Sequence, residues 1–166
     1  MSGVIGPPAS AEQLRNVMAQ APAAVAVVTT RTAGVPHGTT VSSFVSVSLD
    51  PPTMLVSLDN TSELLSQLEP GSRIGVNILA HYQADAAAHF ARKNKGDPPI
   101  GSELTDDEPP RVLGCLAWIA LTATELITVH DHTLVIGTVN TTDTTQVPDL
   151  PLLYWQRAYG TPKSAA

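Results

Sequence analysis

The distribution of apolar and polar positions predicts a chain rich in β-strands. Residues 23–31 form a run of alanine, valine and threonine that is typical of a buried strand. Turn-forming residues follow at 32–36, so the next segment should return as a hairpin partner. That partner is predicted as one long strand from His37 to Leu49, in which valines alternate with serines.

Further strands and three short helices complete the predicted chain. Ser10 and Gln13 have the spacing of a capping box that opens a first helix, and Asn60 with Glu63 predicts a second. An alanine-rich segment at 83–93 predicts the third helix. The pattern favours a mainly β fold with short helices, arranged as a small, mostly antiparallel barrel. The remaining predicted strands are 54–58, 73–79, 115–128, 132–142 and 152–154.

Composition narrows the class of protein. The chain has 166 residues, a length that suits one domain, and a formal net charge of −6. It has no basic stretch, which excludes a nucleic-acid-binding protein and a polybasic membrane anchor. A secretory signal and a long apolar span are also missing, so we expect a cytoplasmic protein without membrane association. Only 14% of the residues are charged, and this leaves uncharged surface that a partner subunit can cover.

Most familiar catalytic motifs are absent from the sequence. It has no glycine-rich dinucleotide motif of the Rossmann type, no Walker A loop and no nucleophile elbow. Cys115 is the single cysteine and lies in an apolar strand, so we interpret it as a buried structural residue. His130 and His132 have strand spacing but no evident third ligand, so no metal site is expected.

One segment combines many hydroxyl groups. Between His37 and Phe44 the chain carries Thr39, Thr40, Ser42 and Ser43. One interpretation is an ordinary strand whose polar face meets water. The other is a strand whose N–H and O–H groups bind phosphate and the edge of a heterocycle, because neutral donors form charge-assisted hydrogen bonds to anions. The residues alone do not separate these two interpretations.

Six motifs follow one another along the chain: residues 25–30, Gly38–Phe44, Val47–Pro52, Asn77–Ala80 with Gln83 and Phe90, Asp131–His132, and Pro151–Tyr154. In this order and at these separations they resemble the flavin reductase-like family. The resemblance covers residues 11–161, which leaves tails at 1–10 and 162–166. It implies an FMN-binding split barrel and an NAD(P)H:flavin oxidoreductase that serves a separate monooxygenase component.

The resemblance also implies a set of cofactor-binding residues, for FMN or FAD and for NADH or NADPH. Two neighbouring strands would meet the flavin ring and ribityl chain, a third group would close another side, and a fourth would approach the phosphate. These four groups are Gly38, Thr39, Thr40, Val41, Ser42 and Ser43; Ser57, Leu58 and Asp59; Asn77, Ala80 and Gln83; and Phe90 with Lys93.

The nicotinamide side of the implied site centres on His132. This residue matches the histidine of the family's Gly-Asp-His turn and is the expected catalytic residue, with Asp131 beside it. Tyr154 and Arg157 belong to the C-terminal stretch near that site. The chain departs from the family pattern at His130, which stands where the turn has glycine; if that glycine adopts a positive φ, histidine fits less well.

The resemblance further implies a homodimer with the flavin site near the subunit interface. Two alternatives stay open at this point. One is another split-barrel oxidoreductase that uses a flavin or deazaflavin, such as a pyridoxamine phosphate oxidase-like protein. The other is a non-enzymatic flavin- or haem-binding protein, which would need no open face for a nicotinamide.

Overall fold

Ten antiparallel strands form two sheets in the computed structural model, which describes residues 7–93, 95–145 and 149–162. Seven strands form the main sheet in the order β3-β2-β6-β7-β8-β5-β4, and β1, β9 and β10 form a small one. The strands are β1 (Ala23–Ala24), β2 (Ala26–Thr32), β3 (Val35–Val41), β4 (Phe44–Leu49), β5 (Pro52–Asp59), β6 (Arg73–Ile78), β7 (Ala117–Val129), β8 (His132–Thr144), β9 (Leu153–Trp155) and β10 (Ala158–Gly160).

Two α-helices and one short 3-10 helix accompany the sheets. Helix α1 (Ala11–Met18) begins with the predicted capping box, in which Ser10 and Gln13 exchange hydrogen bonds. Helix α2 (Ala84–Phe90) confirms the alanine-rich prediction, although it is shorter than expected. No helix in the described part of the chain is long and apolar enough to cross a membrane.

The predicted capping box at Asn60 is wrong. Only a 3-10 turn, Leu65–Gln67, forms in this segment, and no side chain caps it. Asn60 instead donates from Nδ2 to the carbonyl of His130 and accepts from the hydroxyl of Thr133. These distant partners can satisfy its amide more fully than a helix end could, and no local pattern reveals them.

The predicted single strand from His37 to Leu49 is also wrong, and the difference explains the barrel. The segment divides at Ser42 and Ser43 into β3 and β4, which occupy opposite ends of the sheet order. In a flat sheet of seven strands these ends would lie roughly 29 Å apart. Two connecting residues span only about 11 Å, so the sheet must curl until its two edges approach each other.

The core lies on both faces of β2. Ala26 and Val28 point into a cluster inside the barrel, whereas Val25 and Val27 point to a second cluster beneath α2. A strand that is covered on both faces explains the continuous apolar run of the sequence. Phe90 joins the second cluster and packs against Gly38, where a Cβ would lie 3.0 Å from the phenyl ring. Glycine is therefore required for this close approach of α2 to β3.

Candidate functional site

The place where the barrel fails to close forms a small polar slot. It has a volume of about 270 Å³ and lies between β3, with the Ser42–Ser43 connection, and the end of β5. Ser57 donates its N–H to the carbonyl of Ser43 at 2.9 Å, and this bond holds one end of the slot together. The slot is lined by Thr39, Thr40, Val41, Ser42, Ser43, Ser57, Leu58, Asp59, Ser62 and His132. All but Ser62 belong to the set that the sequence predicted.

Strand β3 leaves an open edge along the slot. Among the described strands it pairs with β2 alone, so alternate residues of β3 direct their backbone groups away from the sheet. Gly38 is one of these residues, because its carbonyl accepts a hydrogen bond from Lys95 Nζ at 2.7 Å instead of completing the ladder. By the two-residue period, the N–H of Thr40 also points to this edge. The slot therefore presents backbone donors to any group that enters it.

The hydroxyl groups of this segment divide between two roles. Thr40 donates its hydroxyl to the carbonyl of Ala87 at 2.7 Å, and Ser43 donates its hydroxyl to the carbonyl of Ser57 at 2.8 Å. These two hydroxyl protons hold α2 and β5 in place. Thr39 lines both the slot and the larger cleft beside it. Its hydroxyl is the better candidate for a ligand contact.

A larger cleft of about 1090 Å³ adjoins the slot. Gly38, Asp59, Phe90 and Lys93, all predicted site residues, contribute to its lining. Lys93 is exposed, and its Nζ donates to the hydroxyl of Thr61 at 3.3 Å. Asp59 accepts two hydrogen bonds from Thr61, and these bonds lower the pKa of its carboxyl group. Phe90 and Lys93, which the resemblance assigned to the phosphate, thus line a cleft that carries both cations and hydroxyls.

Lys95 has a different position from Lys93. Its Nζ donates to the carbonyls of Gly38 and Phe90, at 2.7 and 3.0 Å, and so ties β3 to the end of α2. Burial lowers the pKa of this amine, because desolvation disfavours its charged form. In the sequence, Lys95 is one of three basic residues close together, with Arg92 and Lys93. Its role in the cleft wall depends on two backbone carbonyls that no sequence pattern reveals.

His132 enters the slot from the turn between β7 and β8. Its Nδ1 lies 3.0 Å from Oδ1 of Asp131, and this contact lowers the pKa of the Asp131 carboxyl group. Asn60 fastens the turn to β5, since its backbone N–H donates to the carbonyl of Asp131 and its side chain donates to the carbonyl of His130. The contact with Asp131 orients the imidazole, and no described residue forms a hydrogen bond with Nε2.

His130 adopts the strained conformation that the sequence comparison suggested. Its φ is +53°, and it is the first of the two residues that join β7 to β8. A positive φ lies in the left-handed region, which glycine adopts without steric cost. Histidine is tolerated here with a backbone cost of about 1 kcal/mol. The turn therefore forms despite the missing glycine, and His132 keeps its place.

Three predicted residues lie away from the slot and the cleft. Asn77 is fully buried; it donates to the carbonyl of Val27 and the hydroxyl of Thr29, and it accepts from the N–H of Val112. Ala80 and Gln83 are buried as well, and Gln83 accepts from the N–H of Ala80. The polar groups of these residues form hydrogen bonds within the chain. We therefore assign them to the support of β6 and α2 rather than to the cavity surface.

Tyr154 and Arg157 also lie outside both cavities of the single chain. Tyr154 belongs to β9 in the small sheet, and Arg157 follows that strand with a φ of +65°. Arg157 donates to the side-chain oxygen of Asn16 at 2.7 Å, and Trp155 donates to the carbonyl of Gln20. These bonds fasten the end of α1. They place the C-terminal stretch on the small sheet, away from the slot.

Cys115 is buried as predicted, and burial raises the pKa of its thiol to about 11. The protonated thiol is a poor nucleophile, which confirms the structural interpretation. Within the described ranges, no cluster of three or more histidine, cysteine, aspartate or glutamate residues has the arrangement of a metal site.

The sequence of this chain matches a known family. Residues 18–163 match the family described as flavin reductase like domain. The chain belongs to the flavin reductase-like family. Both the fold and the resemblance inferred from the motifs are thereby confirmed.

Curated members of this family are similar over most of their length. The NADH-dependent flavin reductase StyB of Pseudomonas fluorescens is 33% identical over 147 residues, which cover 87% of this chain and 86% of that protein. The actinorhodin polyketide dimerase of Streptomyces coelicolor is 35% identical over 155 residues, which cover 92% and 87%.

Solved structures of the family share the same fold. The styrene monooxygenase flavin reductase of Pseudomonas putida superposes with a TM-score of 0.81 at 35% identity, covering 92% of this chain and 98% of that one. The NADH:FAD oxidoreductase of Streptomyces globisporus superposes with a TM-score of 0.86 at 27% identity, covering 99% of each chain. This chain therefore has the split-barrel fold of these structures over nearly its whole length.

Proposed function

We propose that the slot and the cleft together bind the flavin of an NAD(P)H-dependent flavin reductase. The protein uses NADH or NADPH to reduce FMN or FAD, and it supplies the reduced flavin to a separate oxygenase component. A bound flavin would supply the acceptor for the hydride that the nicotinamide donates. The observation that carries the proposal is the split of the barrel, where open-edge backbone donors, hydroxyls and His132 surround one slot.

The donor set of the slot fits a flavin ring. Its pyrimidine edge carries carbonyl and N–H groups, and these need neutral hydrogen-bonding partners at fixed spacing. The edge of β3 offers the N–H of Thr40, and the hydroxyl of Thr39 lies alongside. Backbone donors on a strand lose little entropy when they bind, because the sheet already holds them in place. Donors of this kind also stabilise negative charge that develops on a bound ring.

The phosphate end of the flavin is assigned to the cleft. Lys93 and the hydroxyl of Thr61 are within hydrogen-bonding distance of each other, and an anion placed beside them would gain both as donors. Lys95 contributes by holding the wall formed by Gly38 and Phe90. Leu58 is 1% exposed and closes the floor between slot and core.

His132 is assigned to the nicotinamide side as the residue that orients the hydride donor. It is partly exposed on the rim of the slot, and Asp131 fixes its ring. Alignment of two reacting groups can supply a large part of the rate enhancement of such a reaction. This role requires orientation rather than proton transfer, so no general base is needed.

We further propose that the protein is a homodimer. Apolar side chains on the outward face of β4 are exposed, including Val45, Val47 and Leu49, the last at 86%. Helix α1 adds the exposed Leu14 and Val17. Apolar surface of this kind commonly marks a protein–protein interface. Tyr154 and Arg157 lie outside both cavities of their own chain, so a contact of either residue with the flavin would require the partner subunit.

The function is tested by anaerobic titration of the purified protein with FMN and with FAD, each followed by flavin absorbance. NADH and NADPH oxidation is then measured with each flavin present. The proposal expects saturable flavin binding and flavin-dependent oxidation of at least one nicotinamide. If the protein neither binds a flavin nor oxidises a nicotinamide in the presence of one, the proposal is wrong.

The dimer is tested separately by light scattering after gel filtration. The double substitution Val45→Asp and Val47→Asp should yield a monomer that remains folded, because both side chains already face outward. A dimer of unchanged mass would place the interface elsewhere.

A further inference from the structure

The turn that carries His132 is attached to the neighbouring segment by Asn60. His130 and Asp131 form this turn, and the carbonyls of both accept a hydrogen bond from Asn60 at 2.9 Å. The side-chain Nδ2 is the donor to His130, and the backbone N–H is the donor to Asp131. Among the described residues, Asn60 alone reaches these two carbonyls from outside the β7–β8 hairpin. The position of the turn therefore depends on Asn60.

The amide of Asn60 is itself held in one orientation. Its Oδ1 accepts the hydroxyl of Thr133 at 2.8 Å, and Thr133 is only 6% exposed. The carbonyl of His130 can accept but cannot donate, so the NH2 group of the amide must face it. An aspartate at this position would turn a second acceptor toward the same carbonyl. The turn therefore needs an amide here, and a polar group of the same size is not sufficient.

The segment that carries Asn60 is well anchored. The carboxylate of Asp59 accepts the backbone N–H and the hydroxyl of Thr61, both at 2.7 Å, and the carbonyl of Asp59 accepts the N–H of Ser62 at 2.9 Å. Asp59 is also the last residue of β5 and pairs with His132, the first residue of β8. Asn60 is thus fixed at the point of the sheet from which the turn extends.

The turn requires this support because His130 has a φ of +53°. The left-handed region is unfavourable for histidine, whereas glycine adopts it freely. Packing restrains the turn little, since the side chain of Asp131 is 90% exposed and that of His132 is 43% exposed. A hydrogen bond and the cost of a left-handed residue are similar in size. The two bonds from Asn60 can therefore offset the strain at His130.

Resting on the proposed role of His132, we infer that Asn60 is a positioning residue of the hydride-transfer step. It holds the strained turn in the conformation that a glycine would adopt without support, and it thereby keeps the imidazole of His132 at the rim of the slot. Asn60 lines neither cavity, so its effect must pass through the turn. A small displacement of an orienting group can lower a rate strongly. Loss of the amide should therefore affect the nicotinamide step and spare flavin binding.

The first test needs no cofactor. Hydrogen exchange is followed by NMR at the backbone N–H of residue 60, whose acceptor is the carbonyl of Asp131. Asn60→Ala keeps this N–H but should speed its exchange by about fivefold or more, after correction for intrinsic rates, because the turn opens more often. Asn140→Ala removes an exposed asparagine with one side-chain bond on β8 and should not change this rate. An unaltered rate in Asn60→Ala would overturn the inference.

The second test separates positioning from general damage. Asn60→Ala should lower kcat/KM for NADH by about fivefold and change the Kd of the flavin by less than about twofold. It should cause no further loss in the His132→Ala background, because it acts through His132. An equal loss in both backgrounds, or a flavin Kd that rises in parallel, would show a merely structural role and contradict the inference. If His132→Ala alone leaves NADH oxidation unchanged, the proposed role of His132 is wrong, and the positioning role falls with it even when the exchange test succeeds.

Two further variants test the mechanism of support. His130→Gly removes the unfavourable φ, so in the Asn60→Ala background it should recover about half or more of the lost kcat/KM on a logarithmic scale. Asn60→Asp keeps the acceptor for Thr133 but opposes the carbonyl of His130, so it should be no more active than Asn60→Ala. Full activity of Asn60→Asp, or no recovery with His130→Gly, would refute the inference.

Discussion

Two polar regions of this protein use similar residue types for opposite purposes. The first surrounds Asn77, whose amide is fully buried and whose three hydrogen bonds all end within the chain. The second surrounds Thr39 and His132, at the slot where β3 presents an open edge. A buried polar group must find partners during folding, because an unpaired one is costly. A donor at the rim of a slot can instead remain available for a ligand.

The comparison predicts that the largest effect on stability comes from the buried region. Asn77→Ala removes three hydrogen bonds and leaves the N–H of Val112 without its partner, so we expect a loss of about 3 kcal/mol in the free energy of unfolding. Flavin affinity of the folded fraction should change little. Urea denaturation and flavin titration measure the two quantities.

Asn140→Ala provides the control for this experiment. Asn140 is exposed on β8 and accepts one hydrogen bond, from the hydroxyl of Thr122, so its loss should cost well under 1 kcal/mol. If Asn77→Ala unfolds no more easily than Asn140→Ala but loses its flavin affinity, the assignment of Asn77 to structural support is wrong.

The largest kinetic effect is expected from the open region. His132→Ala should reduce kcat/KM for NADH by about tenfold or more, because the hydride donor loses its orienting group, whereas the Kd of the flavin should hardly change. His81 offers a matched control: its Nδ1 lies 2.8 Å from Asp149, and its side chain is 42% exposed, against 43% for His132. His81→Ala should leave NADH kinetics unaltered. A collapse of flavin affinity in His132→Ala with normal NADH kinetics would contradict the assignment.

Adjacent threonines on β3 sharpen the comparison within a single strand. Thr39→Val removes a hydroxyl at the junction of slot and cleft and should weaken flavin binding by about 1 kcal/mol without changing stability. Thr40→Val removes the donor to the carbonyl of Ala87 and should instead lower stability by about 1 kcal/mol. Flavin titration and thermal unfolding of both variants measure the two effects. If Thr39→Val lowers stability and Thr40→Val weakens flavin binding, the two roles must be exchanged.

The smallest expected effect concerns the turn that carries His132. His130→Gly relieves the positive φ and should raise the free energy of unfolding by a few tenths to about 1 kcal/mol, since glycine adopts this conformation without steric cost. The gain is reduced because glycine also increases the entropy of the unfolded chain. A lower melting temperature than that of the unsubstituted protein would show that contacts of the His130 side chain outweigh the backbone strain.

Much of the fold followed from local patterns. Strand β2, with apolar residues on both faces, and the long pair β7 and β8 appeared where predicted, and Ser10 capped α1 as expected. Strand β10 was missed, because three residues with exposed side chains carry no apolar period. The segment after Asn60 forms a 3-10 turn, although a capped helix was predicted there. The side chain of Asn60 caps no helix, because its hydrogen-bonding partners lie about seventy residues away along the chain.

The lining of the candidate site was predicted only in part, because local patterns do not reveal contacts between distant residues. Thr39, Ser42 and Asp59 line the slot because they lie near the C-terminal ends of β3 and β5, within segments that the motifs had marked. Asn77 and Gln83 had the same standing in the sequence but turned inward, and Lys95 became part of the cleft wall through contacts with backbone carbonyls. The identity of a side chain does not determine whether its polar groups form hydrogen bonds within the folded chain or stay available to a ligand.

The sequence by itself determined most of the strands, because periodicity and turn chemistry act over a few residues, and its motifs indicated the family. Only the tertiary structure decided that residues 37–49 divide between opposite edges of one sheet, and that these edges meet across a slot. The physical reason is that curling of a sheet depends on the pairing of distant strands. This pairing determines which polar groups are buried with partners and which stay exposed at the open edge.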